Sequence, residues 1–182
     1  MNQPTAEVII SQTKKWIIDV VVGCNFCPFA AREIKRDSIH YEVLPQATTA
    51  SVLTAVMTAM HQLDDDTAIE TSFLILPGSF SVFDAYLDLF EIAEALLVKE
   101  GYEGIYQLAS FHPEYLFAGS NAADASNYTN CSPYPMLHFL REESVSKAID
   151  SYPDIDEVPN RNIAFANKKG LLYMQQLLKA NS

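Results

Sequence analysis

From Ile39 to Phe111 the chain alternates short strand-like apolar runs with long amphipathic stretches, and this alternation constrains the fold most. Ile39, Tyr41 and Val43 alternate with His40, Glu42 and Leu44, the period of a strand with one wetter face. Thr48 and Thr49 open a helix that carries Val52, Leu53, Val56, Met57, Met60 and Leu63 on one side and ends at Asp64-Asp65-Asp66. Ser72 to Leu76 is an apolar run of the kind found in strands buried on both faces, and Pro77-Gly78 stops it. Ser81 with Asp84 has the form of a capping box, before a helix striped by Phe83, Tyr86, Leu87, Phe90, Ala93 and Leu97. Ile105 to Phe111 is the third strand. Such a succession implies an α/β fold. The expected sheet is short and mainly parallel, built from 39–44, 71–76 and 104–110, with helices 5–22, 48–63 and 80–99 flanking it. Phe73, Ile75, Leu108, Val56 and Phe90 are expected in the core.

Outside this stretch the pattern is helical. Thr5 is a suitable N-cap for a helix striped by Ile9, Trp16, Ile17, Val20 and Val21, which Gly23 is placed to end. Pro28 suits the first position of a short second helix, on which Arg32, Glu33, Lys35 and Arg36 read as solvated. Residues 117–132 form a long polar loop. Pro133 and Pro135 lead into a helix from Met136 to Ser151, and Asn160 to Ala180 is helical with a break near Gly170. The C-terminal third is therefore expected to be helical, and residues 1–182 to form a single domain. A chain of 182 residues buries roughly 70% of its unfolded surface, enough for a core without disulfides or a metal.

Charge narrows the partners. With 12 Lys+Arg against 23 Asp+Glu the net charge is −11, which argues against nucleic acid and anionic membranes as partners. The N-terminus shows no secretory pattern, and no apolar run reaches the ~18 residues of a membrane span. The three cysteines suit a reducing compartment better than a disulfide framework. The expectation is a cytoplasmic protein.

Three segments carry side chains suited to chemistry. In Cys24-Asn25-Phe26-Cys27-Pro28, a helix starting at Pro28 would make Cys27 the N-cap residue, where backbone N–H groups favour a thiolate. In Ser110-Phe111-His112-Pro113, His112 follows the carboxyl end of a strand, where open α/β sheets place ligands. The third is Asn130-Cys131-Ser132-Pro133-Tyr134-Pro135 with His138, Arg141 and Glu142, the last three on one face if the segment is helical. Between Asp37 and Leu140 Lys99 is the only basic residue, so Arg141 beside a histidine suggests a clamp for an anion. The methionine and aromatic stripes read as core, and no cofactor is implied. His40 and His61 read as exposed and silent.

Together, Cys27-Pro28-Phe29-Ala30, Gln107 to Pro113 with Tyr115 and Phe117, and Asn130, Ser132 to Pro135, His138 and Leu140-Arg141-Glu142 resemble the bacterial family called domain of unknown function 1415. The resemblance covers nearly the whole chain and implies a protein of about this size, with no assigned reaction. In the family's pattern Cys27 is the motif cysteine, while Cys24 and Cys131 stand where other residues are usual.

Three functions fit these residues. The first is an enzyme with a Cys/His centre acting on a small anionic substrate. Cys27 would be the nucleophile, His112 or His138 the base, and Arg141 the anchor, with Tyr134, Asn130 and Glu142 beside the substrate. The second is a zinc-type metal protein drawing on Cys24, Cys27, His112, Cys131 and His138. The third is a non-catalytic module that binds a small anion. The enzyme reading predicts that Cys27, His112, His138 and Arg141 surround one pocket.

Overall fold

The computed structural model describes residues 4–152 and 154–181 and shows one α/β domain. Strands β1 (Ile39–Val43), β2 (Thr71–Ile75), β3 (Tyr106–Phe111) and β4 (Met136–Arg141) form one sheet in the order β1-β2-β4-β3. β1 and β2 pair in parallel, whereas β4 runs antiparallel to both β2 and β3. The three strands expected from the alternation thus share one direction, and a fourth of opposite direction separates the second from the third.

β4 replaces the helix expected to begin at Met136. Helix α5 starts only at Glu142 and runs to Ser151. The apolar residues of Met136 to Leu140 satisfy either period, and the neighbours decide between them. β2 and β3 both present unpaired edges, and a strand between them satisfies both ladders. Leu137 and Phe139 then point to one side of the sheet, and Met136, His138 and Leu140 to the other.

Each face carries its own layer of helices. On one, α3 (Thr49–Asp65) and α4 (Phe83–Lys99) pack Val56, Met60, Leu63, Tyr86 and Leu89 on Leu74, Leu137 and Phe139. The side chains of Thr48 and Ser51 form a reciprocal capping box for α3. The box expected from Ser81 and Asp84 does not form, because the N-cap of α4 is Val82. Phe73, Ile75 and Val56 are buried, whereas Leu108 and Phe90 are only partly so.

On the opposite face lie α1 (Ala6–Trp16), its continuation Ile17–Val22, and α6 (Val158–Lys169) with α7 (Leu171–Lys179). The helix from Thr5 is continuous, but its last six residues are π-helical, with Gly23 N–H donating to Ile18 O at 2.9 Å. π segments concentrate at functional sites. Gly170, at φ +83°, makes the expected break between α6 and α7 in a conformation that favours glycine. Among the described residues no helix is long and apolar enough to cross a membrane.

Candidate functional site

A cavity of about 270 Å³ lies between the second face of the sheet and the helices at its rim. Thr71 and Phe73 of β2, His138 and Leu140 of β4, and Gln107, Ala109 and Phe111 of β3 line its floor. Trp16, Ile17 and Val21 of the first helix, Cys27 and Phe29 of the turn after it, and Val145 and Ala148 of α5 close it. Ala109 stands directly beside His138 in the β3–β4 register, and its small side chain leaves space next to the imidazole. The wall is almost wholly apolar, and Arg32, Glu33 and Glu70 border it.

His138 is held by two neighbours. Its ring stacks on Phe73, which faces it across the β2–β4 pair, with centroids 3.9 Å apart. Its Nε2 lies 2.6 Å from Thr71 Oγ1, and that hydroxyl lies 2.5 Å from the carbonyl oxygen of Phe139. A carbonyl only accepts, so the single hydroxyl proton of Thr71 goes to Phe139. His138 Nε2 must then carry a hydrogen and donate it to Thr71. Nδ1 is left as a bare lone pair, with no protein hydrogen-bond partner among the described residues. Burial pushes the His138 pKa down to about 3, so the imidazole is neutral near pH 7.

Cys27 is the one partly exposed thiol, as Cys24 and Cys131 are buried. It is not an N-cap residue. Helix α2 (Ala30–Arg36) has Phe29 at its N-cap, and Pro28 lies in the preceding turn rather than at the first helical position. Burial raises the thiol pKa of Cys24 and takes that of Cys131 up to about 12, which leaves both as unreactive packing groups. Among the described residues no three His, Cys, Asp or Glu side chains converge to hold a metal.

A family model described as a protein of unknown function (DUF1415) matches residues 8–176 of the chain. The chain belongs to this family. No curated protein and no solved structure shows a match to it.

The DUF1415 chain brings only part of the expected constellation together. Cys27, His138 and Arg141 all border the cavity, but strand alternation separates the last two. The Arg141 guanidinium turns to the other face, donating to Leu63 O (2.5 Å), Ile69 O (3.0 and 3.2 Å) and Asp66 O (3.3 Å). It ties the carboxyl end of α3 to the sheet and has little left for an anion.

His112 also faces away from the cavity, fully buried against Phe83 and Tyr86 of α4. Its Nε2–H donates to Phe80 O (2.9 Å) and its Nδ1 accepts from Glu114 N–H (3.0 Å). The His112 backbone exchanges hydrogen bonds with Asn130 and Ser132, so the two motif segments form a joint at one end of the sheet. The Asn130 amide donates to Ser110 O, the Tyr134 hydroxyl donates to Gln12, and neither side chain lines the cavity. Glu142 opens α5 and does not line the cavity.

The sequence does not single out Thr71 or Glu33. Glu33 is buried rather than solvated, with one carboxylate oxygen on Arg32 Nε (2.5 Å) and the other accepting from Ser38 Oγ (2.7 Å). Its place at helical spacing among charged residues resembles any surface position. Thr71 is typical of strands, and only the chain of hydrogen bonds to His138 distinguishes it.

Proposed function

We propose that this protein is an enzyme for a small, mainly apolar molecule, with Cys27 as the nucleophile and His138 as the proton-accepting partner. The observation that supports this reading is that Cys27 and His138 line the same apolar cavity. An imidazole that titrates so low does not hold a stable thiolate–imidazolium pair. Any proton that its free Nδ1 accepts is therefore held only transiently, within a single step, because burial disfavours the imidazolium. Arg141, committed to backbone carbonyls, and Arg32, paired with Glu33, leave little for an anionic end of the substrate.

The test compares two alkylating reagents of similar intrinsic reactivity, iodoacetamide and its N-benzyl derivative. Mass analysis should find a single adduct on Cys27. The benzyl reagent should react at least tenfold faster and saturate with concentration, while a cavity-filling Ala109→Phe protein should lose that advantage. Equal rates for the two reagents in the native protein would refute the reading. A non-catalytic binding role is the second reading, favoured by the low basicity of His138. In that case the benzyl reagent still saturates, but a His138→Phe substitution leaves the alkylation step itself unchanged.

A further inference from the structure

We propose that the cavity selects a small neutral aromatic molecule bearing a hydrogen-bond donor, a phenol-type hydroxyl or a ring N–H, and that Nδ1 of His138 receives that donor. This deepens the reading of the Cys27–His138 cavity as a small-molecule site and depends on it for location only, since Nδ1 cannot take the Cys27 proton while a ligand donor sits on it.

Direction comes from the hydrogen-bond chain. Phe139 O accepts from the Thr71 hydroxyl, and the Thr71 oxygen in turn accepts from Nε2–H of His138. Each link has only one polarity, and it starts at a backbone carbonyl of the sheet, which cannot reverse. Nδ1 is consequently an acceptor and nothing else. Phe73 covers one face of the ring and Thr71 occupies Nε2, so Nδ1 is the ring nitrogen open to a cavity occupant. A ligand carbonyl or ether oxygen placed there would oppose lone pair to lone pair. A hydroxyl or N–H completes the chain.

The body of the ligand follows from the walls. Trp16, Phe73 and Phe111 surround the space beside Ala109, and Trp16 meets Phe111 edge to face with centroids 5.2 Å apart. Aromatic walls at stacking and edge distances favour a flat ring. The volume, about 270 Å³, falls just under the ~300–1,000 Å³ of pockets for drug-sized ligands, which limits the occupant to one or two rings. A net charge on the ligand is disfavoured in the depth of the site, because the apolar wall offers it no partner.

The test uses phenol against anisole, which differ by the donor hydrogen. The chain has one tryptophan, Trp16, and it lines the cavity, so its emission excited near 295 nm reports occupancy. Phenol should bind at least tenfold more tightly than anisole in the native protein. The preference should shrink to under threefold in His138→Phe, and also in Thr71→Val, where the ring is free to change tautomer. Separately, nitrogen-15 NMR of histidine-labelled protein should show a protonated Nε2 and a bare Nδ1 at neutral pH. Equal affinity for phenol and anisole in the native protein overturns the proposal, and so does a protonated Nδ1. Neither result bears on Cys27, whose alkylation tests the functional reading alone.

Discussion

Phe73 and His138 face each other across the β2–β4 pair with their rings parallel to within 4°. The stack sets the plane of the imidazole, and the bond to Thr71 sets its rotation within that plane. Two contacts from a single strand therefore fix where Nδ1 points. Residues two apart on one strand share a face, so Thr71 and Phe73 reach His138 together. A chemical group positioned this way rests on sheet register and not on a loop.

Acid should weaken the fold through this ring. An unfolded histidine titrates near ~6.5, while burial takes folded His138 to about 3. Between those values the unfolded chain binds the extra proton, so stability rises with pH and is lost on acidification. Its full contribution is present above the unfolded pKa. From pH 7.5 to pH 5 the loss should be about 2 kcal/mol, at up to ~1.36 kcal/mol per pH unit. Burial also lowers the His112 pKa, which adds a slope of the same sign. Urea unfolding at several pH values should show a shallower dependence in His138→Phe. An unchanged slope would mean that His138 titrates alike in both states.

Arg141→Met should destabilise the protein without altering the cavity's chemistry. Its guanidinium donates to three carbonyls, of Leu63, Asp66 and Ile69, and stands over the Tyr106 ring at 5.7 Å. Bonds from a charged donor are worth ~1.5–3 kcal/mol each at most, and partial exposure reduces that, so a loss of about 2 kcal/mol is expected. Urea midpoints measure the loss, and alkylation of Cys27 should keep its native rate. A stable Arg141→Met protein with slowed alkylation would return Arg141 to the site.

The path from sequence to structure divides at β4. The parts of the fold visible in advance are those with local periodicity. β1, α3, β2, α4 and β3 each announce themselves in their own residues, and Gly170 marks its own break. Met136 to Arg141 does not, because apolar residues at 136, 137, 139 and 140 fit a helix as well as a strand. Only the gap between β2 and β3, residues distant in sequence, resolves it. The same ambiguity decided the site. A helix puts His138 and Arg141 on one face, and a strand puts them on opposite faces. Cys27 and His138 were legible by chemical type. The Thr71 relay was not, since a threonine in a strand carries no local signal of its partner.

Tyr41→Phe should act in the opposite direction and stabilise the fold. The Tyr41 hydroxyl is buried without a hydrogen-bond partner, and burial raises its pKa well above the ordinary value. An unsatisfied buried hydroxyl carries a desolvation penalty of ~1–3 kcal/mol. Phenylalanine removes it while keeping the ring stacked on Phe73, with centroids 5.9 Å apart, and under Lys14 Nζ at 5.1 Å. The urea midpoint should rise, by about 1 kcal/mol in unfolding free energy. A fall in stability would show that the hydroxyl is hydrogen-bonded after all.

Gly23→Ala tests whether the π segment shapes the cavity. A Cβ at Gly23 would lie 2.3 Å from the carbonyl oxygen of Asp19 and 3.0 Å from its carbon. Both atoms are backbone, so no side chain can swing aside. The φ of Gly23 is an ordinary −62°, which assigns the demand for glycine to this close approach rather than to torsion. To admit a methyl group, the segment Ile17–Val22 must give up its π geometry, which rotates Ile17 and Val21 relative to the sheet. Overpacking of this kind costs ~1–3 kcal/mol. The Gly23→Ala protein should therefore unfold at lower urea, and the altered wall should weaken the response of Trp16 emission to phenol by several-fold. Should stability drop while phenol affinity stays native, the π segment would be a packing feature and not a determinant of the cavity.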